Sequence, residues 1–222
     1  MISKAAIFDL DGTLINSLQD LAASANAVLR EQGFPEHGMD SYRYFVGNGM
    51  KKLMERCLPK EKAIDEAFVA KATARCKEIY AAHTLDHTKP YDGIVLMLER
   101  LQTMGIPMAV CTNKPQEEAK SVVASLFPQN FFHMVIGDSE GQPPKPDPTK
   151  VLHIAKGFRL APKEIAYFGD SSVDMDTACN GGLLPVGVLW GFRPKEELIE
   201  HGARILLDTP SELLAKVHFS YA

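Results

Sequence analysis

The chain has 222 residues, 45% of them apolar and 23% charged, and a net charge of -4. That is enough chain for one large domain, or for one domain carrying an insert, with a core that needs no staple. The slight acidic excess argues against a nucleic-acid binder, which would lean basic. Four cysteines, at 57, 76, 111 and 179, form no CxxC pair and no zinc-ligand spacing, so they read as small buried hydrophobes. The opening MISKAAIFDLDG holds an apolar stretch too short for a signal peptide and broken by acids, and no run approaches a membrane span. A cytoplasmic protein with no membrane partner is expected, as a monomer or homodimer.

AAIF, residues 5 to 8, reads as a short buried strand. Leu18, Leu21, Ala22, Ala25, Val28 and Leu29 share one face of a helix over residues 17 to 32, which Gly33 ends. Residues 39 to 87 show no strand pattern and read as helices over 40–46, 49–57 and 62–83. After Pro90 the pattern changes. A helix over 93–104 leads to the strand IPMAVCT, and Pro115 opens the next helix at its first position. The strand FFHMVIG, the loop GQPPKPDP and a helix over 148–157 follow. Then come the strand EIAYFGD, a helix over 172–180, the strand LPVGVLW, a helix over 194–201, the strand ARILL and a final helix over 210–217. Strands alternating with helices at this spacing predict an α/β fold, a doubly wound parallel sheet covered on both faces. The core is expected over 1–14 and 88–222. An all-helical insert over 15–87 leaves just after the first strand, where it would stand as a lid.

Ligands of such sheets bind beyond the carboxyl ends of the strands. Asp9 and Asp11 follow the first strand two residues apart, so both carboxylates face one spot, and Gly12 allows close backbone approach. Asp170 ends the strand IAYFG, and Asp174 lies on the first turn of the next helix, pointing to the same rim. Asp176 fits a bland role at the helix start and is left out of the site. Four carboxylates that close require a cation, and an all-oxygen ligand set favours Mg2+ over Ca2+. In CTNK, the Thr112 hydroxyl and the backbone N–H groups of Asn113 and Lys114 are placed to hold phosphoryl oxygens. Lys145, stiffened by Pro144 and Pro146, is placed to pair with an acid and offset phosphoryl charge. Gly47, Asn48 and Gly49 form a glycine-bracketed turn in the insert, a candidate small-anion contact.

DLDGT, a helical insert, Thr-Asn, Lys and GDSxxDM occur in that order, each motif after its own strand. The set resembles the haloacid dehalogenase superfamily of phosphohydrolases over essentially the whole chain, and the insert looks like its C1 cap type. The resemblance implies that Asp9 attacks phosphorus and forms an aspartyl-phosphate. Asp11 protonates the leaving group and then deprotonates water. Asp9, the Asp11 carbonyl and Asp170 hold Mg2+, supported by Asp174, while Thr112, Asn113, Gly12 and Lys145 surround the phosphoryl group. A second aspartate at Asp11 argues for phosphatase over dehalogenase chemistry, because a departing halide needs no proton. DGTLINS, VGNGMKKL, CTNK and VLWGFRPKEELIEHGARILLDTPSELL resemble the phosphoglycolate phosphatase branch. The implied partner is a small phosphorylated metabolite, with pyrophosphate, nucleotides or sugar phosphates as alternatives. A phosphomutase, a signalling receiver domain and an idle binding module are the rival readings. The receiver lacks a helical insert of this length, and the idle module sits poorly with a complete acid set.

Overall fold

The computed structural model describes residues 2–220. Its strands are β1 Ile2–Ser3, β2 Ala5–Phe8, β3 Ile15–Asn16, β4 Lys89–Pro90, β5 Met108–Pro115, β6 Met134–Asp138, β7 Ile165–Gly169, β8 Leu184–Val188, β9 Ile205–Leu207 and β10 His218–Phe219. Six of them form one parallel sheet in the order β6-β5-β2-β7-β8-β9. From β2 the chain runs outward through β5 to β6. It then returns to the other side of β2 and runs outward again through β7, β8 and β9. The connections diverge at β2, so a crevice opens at its carboxyl end.

Both faces of this sheet are covered, which explains why its strands are continuous apolar runs rather than alternating ones. Ala6 and Phe8 of β2 pack into one buried cluster with Val110, Phe168 and Val186. Ala5 and Ile7 point the other way, into a second cluster with Ala109, Cys111, Ile154 and Tyr167. Phe8 and Phe168 on neighbouring strands stack with ring centroids 4.7 Å apart. The β1–β10 pair adds a separate two-stranded sheet, with Ile2 opposite His218, and β3 pairs with β4 in another.

The chain divides into two compact units, Met1–Ile15 with Pro90–Ala222, and Asn16–Lys89. The second unit holds the helices Leu18–Glu31, Met39–Phe45, Gly49–Cys57, Lys60–Ala63 and Glu66–His83. Its interior includes Leu29, Tyr42, Leu53, Met54, Cys76 and Tyr80. The buried Asp20 carboxylate closes the unit. It accepts from the backbone N–H groups of His87 and Thr88 (3.0 and 2.8 Å) and from the Thr88 hydroxyl at 2.7 Å. Burial opposes the ionised form of Asp20, but those donors outweigh it and hold its pKa below the ordinary value.

Several expected boundaries shift. The helix anticipated over 62–83 is broken: Lys60–Ala63 stops, Ile64 is exposed, and Asp65 restarts the chain by capping the Phe68 N–H at 3.0 Å. Pro115 ends β5 instead of opening the following helix, which spans Gln116–Leu126. The last helix is a 3-10 turn, Pro210–Glu212, followed by Leu213–Lys216. The strand expected from residue 131 begins at Met134.

Candidate active site

Asp9 and Asp11 follow β2, Thr112–Lys114 lie in the last part of β5, and Asp170 follows β7. The three strands are neighbours, so their carboxyl ends bring together residues that are far apart in sequence. Asp174 sits in the first turn of the helix Ser172–Gly181. Carboxylate oxygens of Asp9, Asp170 and Asp174 lie within 4.8 Å of one another, all three residues buried, a cluster able to hold a metal ion.

Lys145 enters this cluster from its loop. Its Nζ is 2.9 Å from Asp9 Oδ1 and 2.7 Å from Asp174 Oδ1, and it donates to the Tyr167 hydroxyl at 3.0 Å. Its backbone is fixed by Asn113, whose Oδ1 accepts from Lys145 N (2.8 Å) and whose Nδ2 donates to Lys145 O (3.2 Å). The Asn113 side chain therefore clamps the lysine loop. The Lys114 N–H, expected to face a phosphoryl oxygen, instead donates to Thr112 Oγ1 at 3.2 Å. That contact uses a lone pair of the hydroxyl and leaves its O–H available as a donor.

The expected four-acid set is split. The Asp11 carboxylate faces Lys114, whose Nζ is 3.1 Å from each of its oxygens. Asp170 Oδ1 accepts from the Thr13 hydroxyl (3.1 Å) and Oδ2 from the Phe192 N–H (2.8 Å). Asp174 accepts from Lys145 and the Tyr167 hydroxyl on Oδ1, and from Ser171 N and Oγ on Oδ2. Gly12 (φ 85°) also makes room for Asp170: a Cβ at Gly12 or at Gly191 would overlap that side chain. Asp176 pairs with His201 at 2.9 Å, away from the cluster. In the helical unit, Gly47 and Gly49 have positive φ (116° and 81°), and the Asn48 side chain accepts from Arg56 at 2.8 Å. Arg56 also donates to the Tyr44 and Phe45 carbonyls, so it organises this turn from within.

Thr13, Lys114, Tyr167 and Phe192 were not anticipated as contacts of the acids. Thr13 alone carried a signal, standing beside DLDG. The Phe192 contact depends on β8 lying beside β7, which no local pattern reveals.

The electrostatics call for a cation. Burial, then the charge of Asp174, push the Asp9 pKa from 3.8 up to about 7 against the pull of Lys145. Burial, then Asp174 and Asp9, push Asp170 up to about 8. Burial alone would lower the Lys145 pKa, but Asp174 and Asp9 reverse this and raise it. Four carboxylates against two ammonium groups leave two negative charges, which one divalent ion would cancel. Asp9 Oδ1 is buried with the Lys145 ammonium 2.9 Å away. The donors present thus fit a hard, oxygen-ligated metal.

A pH dependence follows. Folded-state values raised above the unfolded 3.8 mean that the native protein holds extra protons, so stability falls as pH rises through the folded values. With EDTA, the thermal midpoint is expected to drop between about pH 5 and pH 8.5, and millimolar Mg2+ to recover most of the loss at the upper end. A flat profile in scanning calorimetry would contradict the charge count.

Residues 6–188 match the family model "Haloacid dehalogenase-like hydrolase". A phosphoglycolate phosphatase of Rhodobacter capsulatus is 35% identical over 210 residues, 91% of this chain and 92% of that one. A phosphoglycolate phosphatase of Thiobacillus denitrificans is 33% identical over 200 residues, 88% of each chain. The crystal structure of a predicted phosphoglycolate phosphatase from Haemophilus somnus superposes with a TM-score of 0.87 at 26% identity, covering 96% of this chain and 97% of that one. Among the described residues, no helix is long and apolar enough to cross a membrane. A parallel sheet with acids at its central strand ends, matched along most of its length by this family, leaves one assignment: the chain belongs to the haloacid dehalogenase-like hydrolases and is a phosphatase of that family.

Proposed function

We propose that the protein is a Mg2+-dependent phosphomonoesterase for a small phosphorylated metabolite, with 2-phosphoglycolate as the first substrate to test. The substrate rests on the names of the relatives at 33% and 35% identity. The chemistry rests on one observation: the two aspartates after β2 have different lysine partners, Lys145 for Asp9 and Lys114 for Asp11. Two carboxylates so differently placed serve two roles.

In this reading Asp9 Oδ attacks phosphorus while the bond from phosphorus to the ester oxygen breaks, giving an aspartyl-phosphate. Asp11 gives its proton to the departing alkoxide. It then takes one from the water that attacks the intermediate, releasing phosphate and restoring the Asp9 carboxylate. Lys145 and the Thr112 O–H stabilise the transferring group, and Asn113 keeps Lys145 aimed. Asp9, the Asp11 carbonyl and Asp170 would hold the metal. Asp174, whose oxygens are already engaged by four donors, orients Lys145 and the helix start rather than binding it directly. When bound, Mg2+ supplies Lewis-acid stabilisation of phosphoryl oxygens. Leaving-group selection is assigned to the helical unit, with Gly47, Asn48 and Gly49 as its candidate substrate residues.

The test is phosphate release from 2-phosphoglycolate, pyrophosphate, nucleoside monophosphates and sugar phosphates, with Mg2+ and with EDTA. The expected result is Mg2+-dependent turnover with the highest kcat/KM on 2-phosphoglycolate. Preference for another ester would keep the mechanism and replace the substrate. Transfer of phosphate to a sugar phosphate instead of water would make the protein a mutase.

A further inference from the structure

We propose that Lys114 is a positioning residue for proton transfer: it holds the Asp11 carboxylate in the one orientation from which a proton reaches the leaving oxygen. The inference deepens the reading above and rests on Asp11 being the acid. Lys114 Nζ is equidistant, at 3.1 Å, from both Asp11 oxygens. The lysine side chain is 3% exposed and the carboxylate 14%. A lysine buried at a sheet rim loses side-chain freedom and hydration, so an ion pair there is a poor device for stability alone. A contact shared by both oxygens does something else: it tethers the carboxylate group as a whole to one place at the strand end.

Asp11 needs such an anchor. It lies in the turn after β2, where backbone bonds run from Gly12 N to Ile15 O and from Leu14 N to Leu10 O. These shape the turn but leave the Asp11 side-chain torsions to be set by side-chain contacts. Lys114 supplies one across the β2–β5 pair, from a strand whose own position is set by Phe8 opposite Val110. Lys145 cannot do this, being engaged with Asp9 and Asp174. The two lysines thus divide the work, one for the nucleophile and one for the acid.

The proton balance makes the idea testable. An alkyl phosphate leaves as an alkoxide and needs the Asp11 proton as its bond to phosphorus breaks. p-Nitrophenyl phosphate leaves as a stabilised phenolate and needs none. Because kcat/KM reports events up to the first irreversible step, it isolates this half-reaction from the later water attack. Lys114→Met, Lys114→Arg and Asp11→Asn are compared with the parent protein, using the best alkyl ester of the panel and p-nitrophenyl phosphate, after thermal melts establish folding. For Lys114→Met, kcat/KM on the alkyl ester is expected to fall about 100-fold, within the range of general acid catalysis. On p-nitrophenyl phosphate it should fall less than about 5-fold, with a burst of phenolate ahead of phosphate release, because the second half-reaction still needs Asp11 as base. Lys114→Arg should regain part of the alkyl activity. Asp11→Asn should show the same split. Equal losses on both esters in Lys114→Met, alongside a split in Asp11→Asn, would overturn the role of Lys114 alone and make it a substrate-anion contact. No split in either variant would overturn the acid assignment with it.

Discussion

Asp9→Asn is expected to lower phosphate release on the order of 10⁴-fold or more on every ester, while the fold persists. The amide is nearly isosteric with the carboxylate but cannot attack phosphorus. Stability should not suffer. Asp9 is a buried acid whose ionisation is opposed by burial and by Asp174, so a neutral side chain relieves that repulsion. In metal-free buffer near pH 8 the variant's thermal midpoint should equal or exceed that of the parent, and its Mg2+ affinity should be lower. Parent-like turnover would remove Asp9 as nucleophile. Loss of turnover together with a collapsed melt would show that the carboxylate serves the fold.

Lys145→Met should have the opposite signature, losing both activity and stability. The lysine is the counter-charge that Asp9 and Asp174 share at 2.9 and 2.7 Å, and its side chain is 1% exposed. Removing one partner of a buried ionic cluster costs about 3–5 kcal/mol, because the remaining charges stay buried and unpaired. In a chain of this size that lowers the thermal midpoint by roughly 10 °C. Mg2+ should recover part of the midpoint, and so should lowering the pH, which protonates the stranded acids. Turnover should fall about 10³-fold and stay low under both conditions, since neither replaces the donor to the phosphoryl group. A variant as stable as the parent at pH 8 without metal would mean that the acids are better hydrated than their burial implies. The same experiment on Asn113→Ala should give a milder fall in activity, because the reciprocal bonds to the Lys145 backbone are lost but the ammonium remains.

The parallel sheet was readable from the chain because strands buried on both faces become unbroken apolar runs, each punctuated by a polar residue where it emerges. AAIF before Asp9 and IAYFG before Asp170 are such runs. Pairs of only two residues, such as β1 with β10, carry too little pattern to be seen. The break between Ala63 and Glu66 has no Gly or Pro to mark it; it shows only in the exposure of Ile64, at 82%, and in the Asp65 cap. Within the site, the places of Asp9, Asp170, Asp174 and Lys145 follow from local sequence, since each sits at a strand end or in a stiffened loop. The pairing of Asp11 with Lys114 does not. It requires knowing that β2 lies beside β5, and a lysine after Thr-Asn otherwise reads as solvated. The Asp170 contacts are of the same kind: Thr13 and Phe192 meet it only through the order of strands.

That strand order also dictates when the site can come into being as the protein is synthesised. β2, which precedes both Asp9 and Asp11, has as neighbours β5 and β7, and β7 begins only at Ile165. Until then β2 has one flank without a partner, and Lys145 has neither Asp174 nor Tyr167 to meet. The Asn16–Lys89 unit, by contrast, finds its own interior and its Asp20 closure within the first 90 residues. Chains fold from the N-terminus as they emerge, and distant strand pairs form late. A nascent chain halted before residue 165 would therefore carry formed helices and no assembled acid cluster, so phosphatase activity arrives only once β7 and the helix Ser172–Gly181 have been made.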